Sequence, residues 1–191
     1  MNWKLVIAAG AASLALASQA QALDFNFSFS EDPGLAVSPG VNVPGTVTGR
    51  IFGLQDNTSD QQASFVEIFS VPAGVQDLPP GRFSVAGYAA FLNSFLDNPN
   101  IGISQNDFDV QNGQITLAVY QIFGGYFDLN VGNEFNSMVS PDSKSRVQNL
   151  GGFNAITFSA APEPAAWGLM LLGFGGLGAA LRSRRRSVAL A

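Results

Sequence analysis

Phe25, Phe27 and Phe29 alternate with Asn26, Ser28 and Ser30. A repeat of two puts all three rings on one side of an extended chain and the polar side chains on the other. A helix would scatter the rings around its circumference. These six residues therefore commit the segment to a β-strand with one face under a second layer. Apolar, partly alternating runs recur downstream: Thr46–Leu54 with Val47 and Ile51, Ala63–Val71 with Phe65, Ile68 and Phe69, Gln114–Phe123 with Ile115, Leu117 and Val119, and Phe153–Phe158 with Ile156. Turn-forming clusters separate them, among them Asp32-Pro33-Gly34, Pro79-Pro80-Gly81 and Gly151-Gly152. Asn112-Gly113, between Phe108/Val110 and Ile115/Leu117, is a hairpin signal. Short strands at this spacing predict an all-β fold, a single β-sandwich or open-barrel-like domain. One segment breaks the pattern: Phe91, Leu92, Phe95 and Leu96 have helical spacing, which predicts one short helix over 88–96.

The two ends are of another kind. Lys4 precedes an apolar run from Leu5 to Ala17, and Ala20 and Ala22 supply an A-x-A cleavage pattern. Residues 1–22 thus read as a signal peptide, an N-terminal signal helix removed by signal peptidase after Ala22. At the other end Pro162-Glu163-Pro164 leads into 17 uncharged, mostly apolar residues, 165–181, followed by Arg182, Arg184, Arg185 and Arg186. At about 1.5 Å per residue, that stretch is just long enough for a transmembrane helix across a ~30 Å hydrocarbon core. The arginines beside it set the orientation, because basic residues flanking a span stay cytoplasmic. The expected organisation is a signal peptide at 1–22, an exported β domain at 23–160 and a terminal segment at 161–187.

Pro162-Glu163-Pro164, the glycine-rich apolar stretch and the arginine tail together resemble the PEP-CTERM sorting signal of Gram-negative bacteria. The resemblance implies an exosortase as partner, a membrane enzyme that recognises the tripeptide and removes the helix. The chain would pass through the inner membrane and end at the cell surface or in the extracellular matrix, in the company of exopolysaccharide. Pro162, Glu163 and Pro164 would then be recognition residues of a substrate. Within the body, Gly45-Thr46-Val47-Thr48-Gly49 and the run from Leu150 to Phe158 are similar to segments of one group of such proteins, a likeness that assigns no catalytic residue.

Chemistry is sparse. The chain has neither histidine nor cysteine, which removes the Ser-His-Asp triad, the thiol nucleophile, the disulfide framework and the usual zinc sites. Between residues 23 and 161 four basic residues face thirteen acidic ones, a net charge near −9 that disfavours nucleic acid as a partner. No cofactor is expected; the ion that fits the acidic loops best is calcium, with Asp56, Asp60, Asp97, Asp107 and Asp109 as candidate ligands. Ordinary turn capping accounts for the same residues. The reading is a non-enzymatic exported protein. The alternatives are a carbohydrate-binding or polysaccharide-acting module, needing paired carboxylates or an exposed Tyr platform, and a permanently membrane-anchored β protein.

Overall fold

The computed structural model describes residues 22–131, 135–150, 155–161 and 173–174. The chain divides into two compact units, residues 1–160 and 161–191. The expected signal peptide up to residue 21, the Pro162–Pro164 tripeptide, the arginine cluster and all but two residues of the apolar stretch 165–181 lie outside the described residues. Among the described residues no helix is long and apolar enough to cross a membrane.

Among its described residues the first unit is all-β, as expected, with one short helix. In chain order come β1 (Leu23–Ser30), β2 (Val41–Asn42), β3 (Thr46–Leu54), β4 (Thr58–Gln61), β5 (Phe65–Ser70) and β6 (Phe83–Ser84). The helix α1 (Val85–Leu96) follows, then β7 (Ile103–Gln111), β8 (Gln114–Ile122), β9 (Phe127–Asn130), β10 (Phe135–Val139), β11 (Ser145–Leu150) and β12 (Ile156–Ala160). A five-stranded sheet has the order β12-β1-β3-β5-β6, and a seven-stranded sheet the order β2-β11-β10-β9-β8-β7-β4.

The alternation in β1 does what its spacing requires: Phe25, Phe27 and Phe29 are each no more than 2% exposed. The Phe27 ring meets Phe127 of the other sheet at 6.2 Å, and Phe127 meets Tyr120 edge-on at 6.3 Å. One continuous apolar core therefore draws on both sheets. Each such side chain contributes about 1.5–3 kcal/mol through burial. The core needs a gap in β3. Gly49 lies opposite Phe27 in the β1–β3 register, and a Cβ there would fall 2.4 Å from the Phe27 ring.

Helix α1 begins three residues before the predicted start. Ser84 caps it, accepting the Gly87 N–H on its Oγ at 2.9 Å, and Asp97 closes it in the left-handed region with φ 50°. Its buried face is Val85, Tyr88, Ala89 and Leu92. Phe91 and Phe95, which suggested the helix, stand on the exposed side. The Tyr88 hydroxyl donates to the Val139 carbonyl and so ties the helix to β10.

The Asn112-Gly113 hairpin forms as predicted, with φ of 52° and 70° as a type I′ turn demands. A second turn docks onto it: Asp56 Oδ1 accepts the Gly113 N–H at 2.8 Å, and Asn57 Oδ1 accepts that of Asn112 at 3.2 Å. Strands β9, β10 and β11 fall outside the apolar runs picked out above, although β9 alternates, with Phe127 and Leu129 buried. Asn136 and Asn149 face each other in the β10–β11 register, both buried, with Asn136 Nδ2 donating to Asn149 Oδ1 at 3.1 Å. Asn149 Nδ2 also donates to the Ser30 and Ala155 carbonyls, linking the seven-stranded sheet to the ends of β1 and β12.

Candidate functional site

Two places carry the residues singled out by the sequence. The first is the end of β12. This strand runs antiparallel to β1, with Phe29 opposite Ile156, Phe27 opposite Phe158 and Phe25 opposite Ala160. Ile156 and Phe158 turn into the core, while Thr157 and Ser159 turn outward beside Ser28 and Asn26. β1 therefore starts at the level where β12 stops. Ala22, the residue before the expected signal cleavage, is exposed one residue ahead of β1. Pro162 follows two residues after Ala160.

The second place is acidic. Asp107 and Asp109 share the outer face of β7, as their spacing predicts, and β4 pairs alongside. Asp60 reaches the same spot from β4 in the left-handed region, its N–H donating to Asp109 Oδ1 at 2.8 Å. Carboxylate oxygens of Asp60, Asp107 and Asp109 lie within 4.8 Å of one another. They would supply part of the shell of about six to eight oxygens that calcium takes. The remaining two candidates are placed elsewhere. Asp56 holds the two docked turns together, and Asp97 terminates α1. Asp56 and Asp60 are near neighbours in sequence, but strand pairing sets Asp60 beside β7 and apart from the role of Asp56.

A tyrosine platform for sugars is not presented. Tyr88 and Tyr120 are buried and Tyr126 is half-buried. Burial pushes the Tyr120 hydroxyl up to about 12 and that of Tyr88 higher still, Tyr126 adding to the latter. Among the described residues the most exposed aromatic rings are phenylalanines, including Phe65, Phe95, Phe123 and Phe135. On the outer face of the five-stranded sheet, Arg82 pairs with Glu67 at 2.9 Å and lies 3.9 Å from the Phe69 ring centre. Arg50 packs over Phe52 and Phe69 and donates from Nε to Asn26 Oδ1.

A β domain that runs through its last strand into a Pro-Glu-Pro segment, an apolar stretch and an arginine cluster has the parts of a sorting substrate in order. Residues 160–186 match the PEP-CTERM protein-sorting motif. No curated protein and no solved structure gives a significant match to the chain. The motif marks an exported protein that passes through the membrane towards the cell surface and is processed by an exosortase. In that reaction the chain is the substrate.

Proposed function

We propose that the first unit is a non-enzymatic β domain delivered to the cell surface or extracellular matrix, where it acts in association with exopolysaccharide. The observation that carries this reading is the sorting motif at residues 160–186. Signal peptidase cuts after Ala22, within the Ala20-Gln21-Ala22 pattern, and frees the N-terminus. Residues 165–181 then hold the chain in the inner membrane as a transient helix, with Arg182, Arg184, Arg185 and Arg186 on the cytoplasmic side. Pro162, Glu163 and Pro164 are the recognition residues: the prolines keep the segment extended, and Glu163 offers the enzyme one carboxylate. The absence of histidine and cysteine agrees with a role that involves no catalysis by this chain.

Mass spectrometry of the exported protein tests the proposal. The expected mass corresponds to a chain that begins at Leu23 and lacks the arginine tail. Replacing Pro162 and Pro164 by Ala should leave the uncut precursor in the membrane fraction. An extracellular form that retains Arg182–Arg186, or normal processing of the double variant, would overturn it.

A further inference from the structure

Sheet edges decide which surfaces of a β protein can recruit another strand, and among the described residues this domain has four. Three are blunted. β2 and β6 are two residues long, and β2 is bracketed closely by Pro39 and Pro44. β4 has four residues, with an irregularity in its pairing between Thr58 and Gln61 and a charge at Asp60. Short edges, bulges, prolines and charges are the usual defences against unwanted pairing. The fourth edge has a proline, Pro162, two residues past its end, but is longer than the others and regular, with neither bulge nor charge within the strand. β12 is Ile-Thr-Phe-Ser-Ala, five residues in unbroken register with β1 on one side and, among the described residues, with no neighbouring strand on the other.

Beside that edge runs an open groove of about 490 Å³, formed by Ile156–Ala160 and Phe25 of one sheet and Gly113–Ile115 of the other. All nine lining residues are uncharged, in a body whose net charge is near −9. The groove accepts inward side chains of an added strand, and the backbone of β12 offers the hydrogen bonds.

We infer that the free edge of β12 is an interface between two copies of this chain, which pair β12 to β12 in antiparallel fashion. The five-stranded sheet then continues across a two-fold axis into its equivalent. The symmetry fits the sequence. An axis perpendicular to the sheet at Phe158 sets Ile156 opposite the second copy's Ala160, and Thr157 opposite its Ser159. Inward residues of one copy meet inward residues of the other, and outward ones meet outward ones. A partner of opposite charge has nothing to hold on this strand, whereas a second copy brings the same uncharged edge. Net repulsion between two acidic bodies keeps the pairing weak in dilute solution at low salt. Crowding at a cell surface raises the effective concentration and favours it.

Exported, processed protein is the material for the test, examined by sedimentation equilibrium up to roughly 100 μM. The expected mass rises to twice that of the chain, and rises more readily as salt screens the acidic bodies. Thr157→Lys with Ser159→Lys places lysine opposite lysine and should leave the monomer alone. Thr157→Glu with Ser159→Glu should do the same. An equimolar mixture of the two should recover the doubled mass, as mixed pairs. Both positions are exposed, so each variant should melt within a few degrees of the parent. A parent that remains monomeric throughout, including one whose edge takes up an unrelated extended peptide instead, would overturn the inference. So would lysine variants that still dimerise, or a mixture that stays monomeric.

Discussion

Asp142 stands in the turn between β10 and β11, where it accepts the Lys144 N–H at 3.0 Å and the Ser140 hydroxyl at 2.7 Å on one oxygen. Lys144 Nζ lies 3.0 Å from the other. The backbone N–H, then the hydroxyl and the ammonium, favour the charged form and lower its pKa from 3.8 to about 2. The folded state therefore binds this proton less readily than the unfolded chain. Its contribution to stability is present above about pH 4 and is lost as pH falls towards 2. Asp142→Asn should flatten that part of the acid-unfolding curve, read by circular dichroism against the parent. At this scale the sequence is half legible. Alternation alone puts Asp107 and Asp109 on one face, but bringing Asp60 to them depends on a pairing across 49 residues of chain. Asn136 and Asn149 invite a reading as loop residues, because an amide is buried only where its partners are in place, and those partners belong to distant strands.

Among the elements, β1, β3, β5, β8 and the β7–β8 hairpin follow from apolar period and turn chemistry. β10 and β11 do not, since buried Asn136, Ser137 and Asn149 interrupt the apolar signal that such strands usually give. β9 does alternate, with Phe127 and Leu129 buried, but over only four residues. The start of α1 escaped because the cap at Ser84, rather than the apolar residues, sets it. β3 shows how closely the elements depend on one another. A methyl group at Gly49 would meet the Phe27 ring at 2.4 Å and the Glu67 carbonyl at 2.3 Å, a backbone atom that cannot swing aside. Gly49→Ala should lower stability by about 1–3 kcal/mol, the usual cost of overpacking, as a drop in urea midpoint with little change in slope. The β3–β5 pairing, which shifts register beside this residue, should show faster amide exchange in the variant.

Over the whole molecule, apolar patterning established that there would be layers of strands but left open which strand joins which sheet. That assignment is made by contacts remote in sequence, such as the parallel pairing of β2 with β11 and the meeting of β1 with β12. The terminal segment was more legible than the fold, because a sorting signal is read as linear sequence. A tertiary site has to be assembled before it can be recognised.

The β1–β12 pairing also makes the body almost a closed ring of chain. Phe25 and Ala160 are cross-strand partners, which sets their Cα atoms about 5 Å apart, a gap that a turn of two to five residues can span. Where the chain opens is then a matter of genetics and export more than of stability. A circular permutant that joins Ala160 to Leu23 through a short Gly-Asn linker and begins at Gly81, where nothing lies within 4 Å of an added Cβ, should give the same circular dichroism spectrum and a single cooperative transition. In the natural order, the first strand to be made waits for the last. β1 has β3 on one side early, and acquires its other neighbour only when residue 160 has arrived.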